Sequence, residues 1–105
     1  MMTTKTTPVY DRRLAERQAQ FCGVFSSPIR LQIMLLLGER ELTVGEIAEI
    51  LDYAMPLVSQ HLRLMRDKGC LGSRKDGKNV YYFVQNTKFL EAIRLVREGM
   101  SERED

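Results

Sequence analysis

The side chains best suited to recognising another molecule lie in residues 54–68, a segment rich in hydroxyl, amide and guanidinium groups. Such groups hydrogen-bond the edges of DNA bases and the phosphates. At 100° per residue, a helix over this segment has one apolar side and one polar side. The apolar side consists of Val58, Leu62 and Met65, and the polar side of Pro56, Ser59, Gln60, Arg63, Arg66 and Asp67. The pattern predicts a helix that reads DNA, with an ordinary solvated helix face as the alternative.

The net charge of the chain, +2, is unevenly distributed. Residues 54–85 carry six basic and two acidic side chains, a net charge of +4, whereas residues 1–53 and 86–105 each have a net charge of −1. A positive cluster of this kind is typical of a surface that binds phosphates. The charge pattern therefore favours the DNA-reading interpretation.

The sequence offers little for catalysis or metal binding. It has one His, and no nucleophile, base and orienting group come together; Glu46 and Glu49 are typical of a solvated helix face. Cys22 and Cys70 are too few for a disulfide framework or a closed zinc site, which needs about four ligands. We expect no catalytic residues, no cofactor and no metal. We also expect a cytoplasmic protein, because no apolar run approaches the roughly 20 residues of a membrane span.

Three helices are predicted before the DNA-reading segment, over residues 11–25, 28–37 and 43–51. The second is apolar on most sides, which predicts the buried centre of the domain. The third begins at Thr43 and Glu46, whose spacing lets each side chain bond the other's backbone N–H. Its pattern breaks shortly before the next helix opens, so the two form a helix-turn-helix.

A β-hairpin is predicted directly after the reading helix. Two extended runs, residues 70–75 and 79–85, flank an Asp-Gly-Lys turn. Its tip carries three cations, which are Arg74, Lys75 and Lys78. The predicted fold is thus mainly α with a small β-hairpin, a winged helix-turn-helix in the order α-α-α-α-β-β-α.

The first and last helices carry apolar stripes that one small core does not obviously need. The stripe of the first consists of Leu14, Phe21 and Phe25, and that of the last of Phe89, Ile93, Val96 and Met100. We therefore predict a homodimer paired through these terminal helices. The domain is predicted over residues 11–100, between a flexible tail over 1–10 and a frayed tail over 101–105.

Four blocks of the sequence resemble the ArsR/SmtB family of small winged-helix repressors. They begin at Ser27-Pro28, at Glu41-Leu42-Thr43, at Val58-Ser59-Gln60-His61-Leu62 and at Arg74-Lys75-Asp76-Gly77-Lys78. The resemblance implies homodimers that bind inverted-repeat operators on double-stranded DNA. It also implies release by metal ions, metalloids, oxidants or other small effectors.

The metal sites of the family do not carry over to this chain. One uses Cys-Val-Cys where this chain has Thr43-Val44-Gly45, and another uses His and acidic ligands on the last helix, which here has no His. Thiol sensing through Cys22 or Cys70 remains an alternative, although we expect both to pack as small apolar side chains.

The reading segment departs from the family at its start. Met55 and Pro56 replace a polar pair and predict apolar contacts with DNA, for example with a thymine methyl group. Ala54 replaces the usual Ser cap, a loss of about 1 kcal/mol. His61 lies toward the apolar side and is predicted to be packed and hydrogen-bonded.

The sequence therefore predicts a DNA-binding repressor with a division of roles. Ser59, Gln60 and Arg63 are predicted to read bases, while Arg66, Arg74, Lys75 and Lys78 hold phosphates. A winged-helix domain used only for contact with other proteins is the alternative, because a fold does not determine a function.

Overall fold

The computed structural model describes residues 8–103 and shows five helices and one hairpin. The elements are α1 (Arg12–Cys22), a 3₁₀ turn (Gly23–Phe25), α2 (Pro28–Leu37), α3 (Val44–Leu51), α4 (Met55–Asp67), β1 (Leu71–Asp76), β2 (Asn79–Val84) and α5 (Thr87–Arg103). This order confirms the predicted winged helix-turn-helix. The first helix ends at Cys22, earlier than predicted, because the chain tightens into the 3₁₀ turn before α2.

The helix starts follow from their capping residues. The Oδ2 atom of Asp11 accepts a hydrogen bond from the backbone N of Leu14 at 3.0 Å and so caps α1. At α3, the backbone N of Thr43 donates to Glu46 Oε1 at 2.9 Å, and the backbone N of Glu46 donates to Thr43 Oγ1 at 3.2 Å. The predicted capping box is therefore confirmed, and it fixes where the helix-turn-helix begins.

The turn between α3 and α4 depends on Asp52, which takes the left-handed conformation with φ 62°. Asp is one of the few side chains that reach this region. The next residue anchors the turn, because the backbone N of Tyr53 donates to Ala48 O at 3.0 Å and its hydroxyl donates to Gln32 Oε1 at 2.6 Å. These bonds hold the start of α4 against α2 and α3.

The core lies where α2, α3, α4 and β1 meet. Its fully buried side chains are Ile33, Met34, Ile47, Val58, Leu62, Met65 and Cys70. Helix α2 provides two of them, which agrees with its predicted central position. The core anchors α4 along its entire length.

The wing, which is the β1–β2 hairpin, pairs antiparallel from Leu71 opposite Val84 to Asp76 opposite Asn79. Gly77 has φ 65° and opens a two-residue turn with Lys78. A glycine with positive φ at the first turn position matches the twist of a hairpin. The predicted hairpin is therefore confirmed.

Leu42, in the segment before α3, forms a single β-bridge with Tyr82, in which the backbone N of Tyr82 donates to Leu42 O at 2.8 Å. This bridge ties the wing to the segment before α3.

The chain ends differ in detail from the prediction. Helix α5 continues through Ser101 to Arg103, where a frayed tail was predicted, and residues 104–105 lie outside the described part. Of the predicted tail over 1–10, only residues 8–10 are described; they lead into α1 by a turn in which the backbone N of Asp11 donates to Pro8 O at 2.9 Å. No single helix among residues 8–103 is long and apolar enough to span a membrane. The bent pair Arg12–Phe25 and Pro28–Leu37 together reaches the length and apolar composition of a membrane span, and no other property of the pair supports one.

Candidate nucleic-acid interface

The reading helix α4 has one buried and one exposed face. Val58, Leu62 and Met65 have exposed fractions of 0%. On the other side, Gln60 and Arg63 are exposed, and the Ser59 hydroxyl side chain is half-buried between the two faces. The structure thus brings the predicted base-reading side chains onto one surface.

The first turn of α4 is apolar. Met55 is 51% exposed, Pro56 is exposed, and Ala54 supplies no side-chain hydrogen bond at the N-cap. Pro at the start of a helix loses no backbone bond, because its missing N–H would be unpaired there in any case. The absence of a capping bond at Ala54 agrees with the prediction from the sequence. The start of α4 is held instead by core contacts and by the hydrogen bonds of Tyr53.

The three cations of the wing are not equivalent. Lys75 and Lys78 are exposed. The Nε atom of Arg74, in contrast, donates to Glu41 Oε1 at 2.6 Å, and its guanidinium lies 4.7 Å from the centre of the Tyr81 ring. The bond to Glu41 raises the pKa of Arg74. Arg74 therefore braces the wing against the segment before α3, a role that the sequence analysis did not predict.

His61 is packed and hydrogen-bonded, as its position suggested. Its Nδ1 atom lies 3.2 Å from an amino nitrogen of Arg30, whose Nε donates to Val24 O at 2.5 Å. Since Arg30 can only donate, the Nδ1 of His61 accepts and is unprotonated. Burial, followed by the charge of Arg30, lowers the pKa of His61 from its ordinary value of 6.5. Arg30 thus links the 3₁₀ turn that follows α1 to the reading helix α4.

A second surface, the terminal-helix groove, lies between α1, α2 and α5. It has a volume of about 550 Å³ and is lined by Gln18, Phe21, Cys22, Phe25, Leu31, Phe89, Ala92, Ile93, Val96, Arg97 and Met100. The Phe21 ring lies 5.8 Å from that of Phe25 and 4.7 Å from that of Phe89. The groove contains six of the seven predicted interface residues and adds Leu31 and Ala92, which the stripes alone did not reveal.

Two of the predicted interface residues differ from the others. Ile93 lines the groove but is only 8% exposed, because it also packs in the core of its own chain. Leu14 is 40% exposed and lies outside the groove lining. The exposed apolar surface of α5 is instead that of Val96 and Met100, at 64% and 56%.

The two cysteines differ in their surroundings. Cys70 is fully buried, and burial raises the pKa of its thiol, which lowers the fraction of reactive thiolate. Cys22 is exposed and lines the terminal-helix groove, against the prediction that it is packed within the chain. Of the two thiols, the Cys22 thiol is accessible in the single chain.

Metal binding of the family's kind does not fit the residues present. The hydroxyl oxygen of Thr43, which stands in place of the first thiolate, already accepts the capping hydrogen bond. Among residues 8–103, no three His, Cys, Asp or Glu side chains lie close enough together to hold a metal ion.

Comparison with known proteins identifies the family. Residues 27–71 match the sequence model described as bacterial regulatory protein, arsR family. A transcriptional repressor SmtB homolog of Synechocystis is 30% identical over 88 residues, which are 84% of this chain and 67% of that protein. The chain belongs to the ArsR family. This agrees with the predicted family and with the prediction that the protein is not an enzyme.

Two further similar proteins are informative. The cadmium resistance regulatory protein CadC of Listeria innocua is 41% identical over 76 residues, which are 71% of this chain. The chain spans 64% of the length of that relative. Among solved structures, HlyU from Vibrio cholerae has a TM-score of 0.76 at 27% identity, over 84% of this chain and 96% of that one. The winged-helix architecture is therefore shared along most of the chain.

Proposed function

We propose that this ArsR-family protein is a homodimeric transcriptional repressor that binds a specific DNA sequence. One observation carries the proposal: α4 is anchored by three fully buried side chains and exposes an amide and a guanidinium on its outer face. A helix held in this way can enter the major groove without losing its packing. In the cytoplasm, a dimer seated on its operator would exclude other proteins from the same DNA.

The proposed contacts fall into two classes. Ser59, Gln60 and Arg63 read base edges, with Met55 and Pro56 beside them at the helix start. Arg66, Lys75 and Lys78 bind phosphates. The hydrogen bond between Arg74 and Glu41 supports a bracing role for Arg74 rather than a phosphate contact.

The dimer is proposed to form through the terminal-helix groove. The groove is apolar, and Val96 and Met100 at its edge expose more than half of their surface. An apolar surface that continues from a core commonly marks an interface. A two-fold axis there would place two reading helices about 34 Å apart, one turn of duplex, so the operator should be an inverted repeat.

Selection from random duplexes followed by a salt titration tests this function. We expect an inverted-repeat operator and a plot of log affinity against log salt with a slope near −5, because three phosphate contacts per protomer release about one counterion each. Replacing both Lys75 and Lys78 by Ala removes four contacts per dimer. The slope should then fall to about −2, and all sequences should weaken together.

Gln60→Ala is the matched variant for base reading. It should leave the salt slope unchanged and reduce discrimination at particular base pairs in a panel of mutated operators. A flat salt response, or a selection that returns no preferred sequence, would support the protein-contact alternative.

A further inference from the structure

The start of the reading helix carries an unusual surface for a helix that enters DNA. Its N-cap and first turn, residues 54–58, read Ala-Met-Pro-Leu-Val and contain no side-chain N–H or O–H group. Met55, the first residue of α4, nevertheless exposes 51% of its surface to solvent. In helix-turn-helix proteins, the N-terminal residues of this helix contact base edges.

The position of Met55 relative to Ser59 defines where its side chain lies. The two residues are four apart, so they are neighbours on one side of the helix, and Met55 lies one turn nearer the N-terminus. The long, flexible thioether side chain can adapt to a surface that is not preformed. Met55 is therefore placed to touch the base step next to that read by Ser59.

The chemistry of the major groove restricts what an apolar side chain can recognise. Its base edges present hydrogen-bond donors and acceptors, and the apolar group among them is the C5-methyl of thymine. Adenine, guanine and cytosine would leave polar edges unpaired against the Met55 side chain.

Beside the small side chain of Ala54 and the ring of Pro56, Leu57 is the other large exposed apolar side chain of this turn, at 40%. It lies in line with His61 and Leu64, four and seven residues further on, along the opposite edge of α4 from Met55 and Ser59. This edge lies away from Met55 and Ser59, and His61 on it points to Arg30 within the protein, although Leu57 and Leu64 themselves remain exposed.

We propose that Met55 is a specificity-determining residue that contacts the C5-methyl group of one thymine in each operator half-site. The contact rests on the proposed DNA-binding function and assigns the base type at one operator position. It accounts for an apolar side chain that is kept exposed beside residues that read DNA by hydrogen bonds.

Deoxyuracil substitution tests the contact, because uracil pairs as thymine does and lacks only the methyl group. In the selected operator, each thymine is replaced by deoxyuracil at the two symmetry-related positions. For the unmodified protein, we expect one such pair to weaken binding by about 15-fold, since burying one methyl group is worth a factor of about 4 per half-site. In Met55→Gln, the same replacement should change affinity less than 2-fold, whereas Met55→Leu should retain most of the sensitivity.

Two control variants separate this contact from other effects. Leu95→Gln makes the same chemical change at an exposed apolar residue of α5, and it should keep the full deoxyuracil response. Leu57→Gln should also keep it. Loss of the response in Leu57→Gln and its persistence in Met55→Gln would overturn the assignment, as would an unmodified protein insensitive to every thymine replacement.

Failure of the proposed function has a different signature in the same titration. An unmodified protein that binds the operator no better than a scrambled duplex does not read sequence at all. An unmodified protein that prefers the operator, but whose affinity does not change when any thymine is replaced by deoxyuracil, recognises the sequence without a contact between Met55 and a thymine methyl group.

Discussion

Helices α4 and α5 have similar apolar stripes and very different surroundings. In α4, the stripe of Val58, Leu62 and Met65 is completely buried by the chain itself. In α5, burial stops part-way, because Ile93 is 8% exposed whereas Val96 is 64% exposed. An apolar stripe therefore predicts that a helix face is buried, but not in which molecule.

Helix α1 extends this contrast to the other end of the chain. Within the described residues, none of the side chains of α1 is buried, although Phe21 of α1 and Phe25 of the following 3₁₀ turn pack against the core from outside. The core around α2 therefore positions α4, while α1 and the outer part of α5, from Val96 onward, form a separate layer. If this layer is completed by a second copy, mutations in it should affect assembly and leave the fold intact.

The largest effect is expected from Val96→Glu. Two carboxylates would be buried without partners in each dimer, which costs several kcal/mol. The dimer dissociation constant should rise by about 100-fold or more, and operator binding should weaken to a similar extent, although Val96 is not among the proposed DNA contacts. Sedimentation and operator titration of the same sample measure both quantities.

Leu95→Glu is the matched control, because Leu95 is also 64% exposed, lies about 100° around α5 from Val96 and is not part of the groove lining. It should leave both measurements unchanged. A Val96→Glu variant that is dimeric at micromolar concentration and binds its operator normally would show that the exposed part of the α5 stripe is not a dimer interface.

A smaller effect should separate the two halves of α5. Ile93→Ala removes a side chain from the core, so we expect the free energy of unfolding to fall by about 2 to 4 kcal/mol. Val96→Ala, one turn further on, should change the stability of the monomer by less than about 0.5 kcal/mol. Denaturant unfolding at concentrations below the dimer dissociation constant compares them.

Equal losses for the two variants would mean that α5 packs uniformly along its length. The division of the helix into a core half and an interface half would then be wrong.

The parts of this structure that could be predicted from sequence are those set by neighbouring residues. Thr43 and Glu46 are three residues apart, so their mutual capping can be read from spacing alone. The same holds for the turn at Gly77 and for the two faces of α4, because both depend on local backbone geometry.

The parts that could not be predicted depend on residues far apart in the chain. Arg74 meets Glu41 across 33 positions, and Arg30 meets His61 across 31. Before the fold is known, Arg74 is one of three similar cations, and Arg30 is an unremarkable helix residue. The burial of Ile93 within its own chain could not be predicted for the same reason, since an apolar stripe does not distinguish contacts in the core from contacts with a partner.

The contact between Arg30 and His61 joins α4 to α2 and provides the smallest expected effect. Through Arg30, the reading helix is linked to Val24 O in the 3₁₀ turn that follows α1. Neutral His61 accepts this bond, whereas protonated His61 would lose it and place a second positive charge against the guanidinium. Folding thus favours the neutral form, in agreement with the lowered pKa of His61.

The sign of the pH effect follows from this lowered pKa. Below the ordinary value of 6.5, the unfolded chain takes up a proton that the folded chain still refuses, so the free energy of unfolding decreases as the pH falls. The stabilisation is complete above pH 6.5, is lost as the pH falls below it, and levels off below the folded pKa. Denaturant unfolding between pH 7.5 and about 5.5 measures the slope, which one group limits to about 1.4 kcal/mol per pH unit. His61→Gln, which keeps a neutral acceptor for Arg30, should flatten the slope in this window. An unchanged slope would assign the effect to other groups and show that the contact between Arg30 and His61 is not sensitive to protonation.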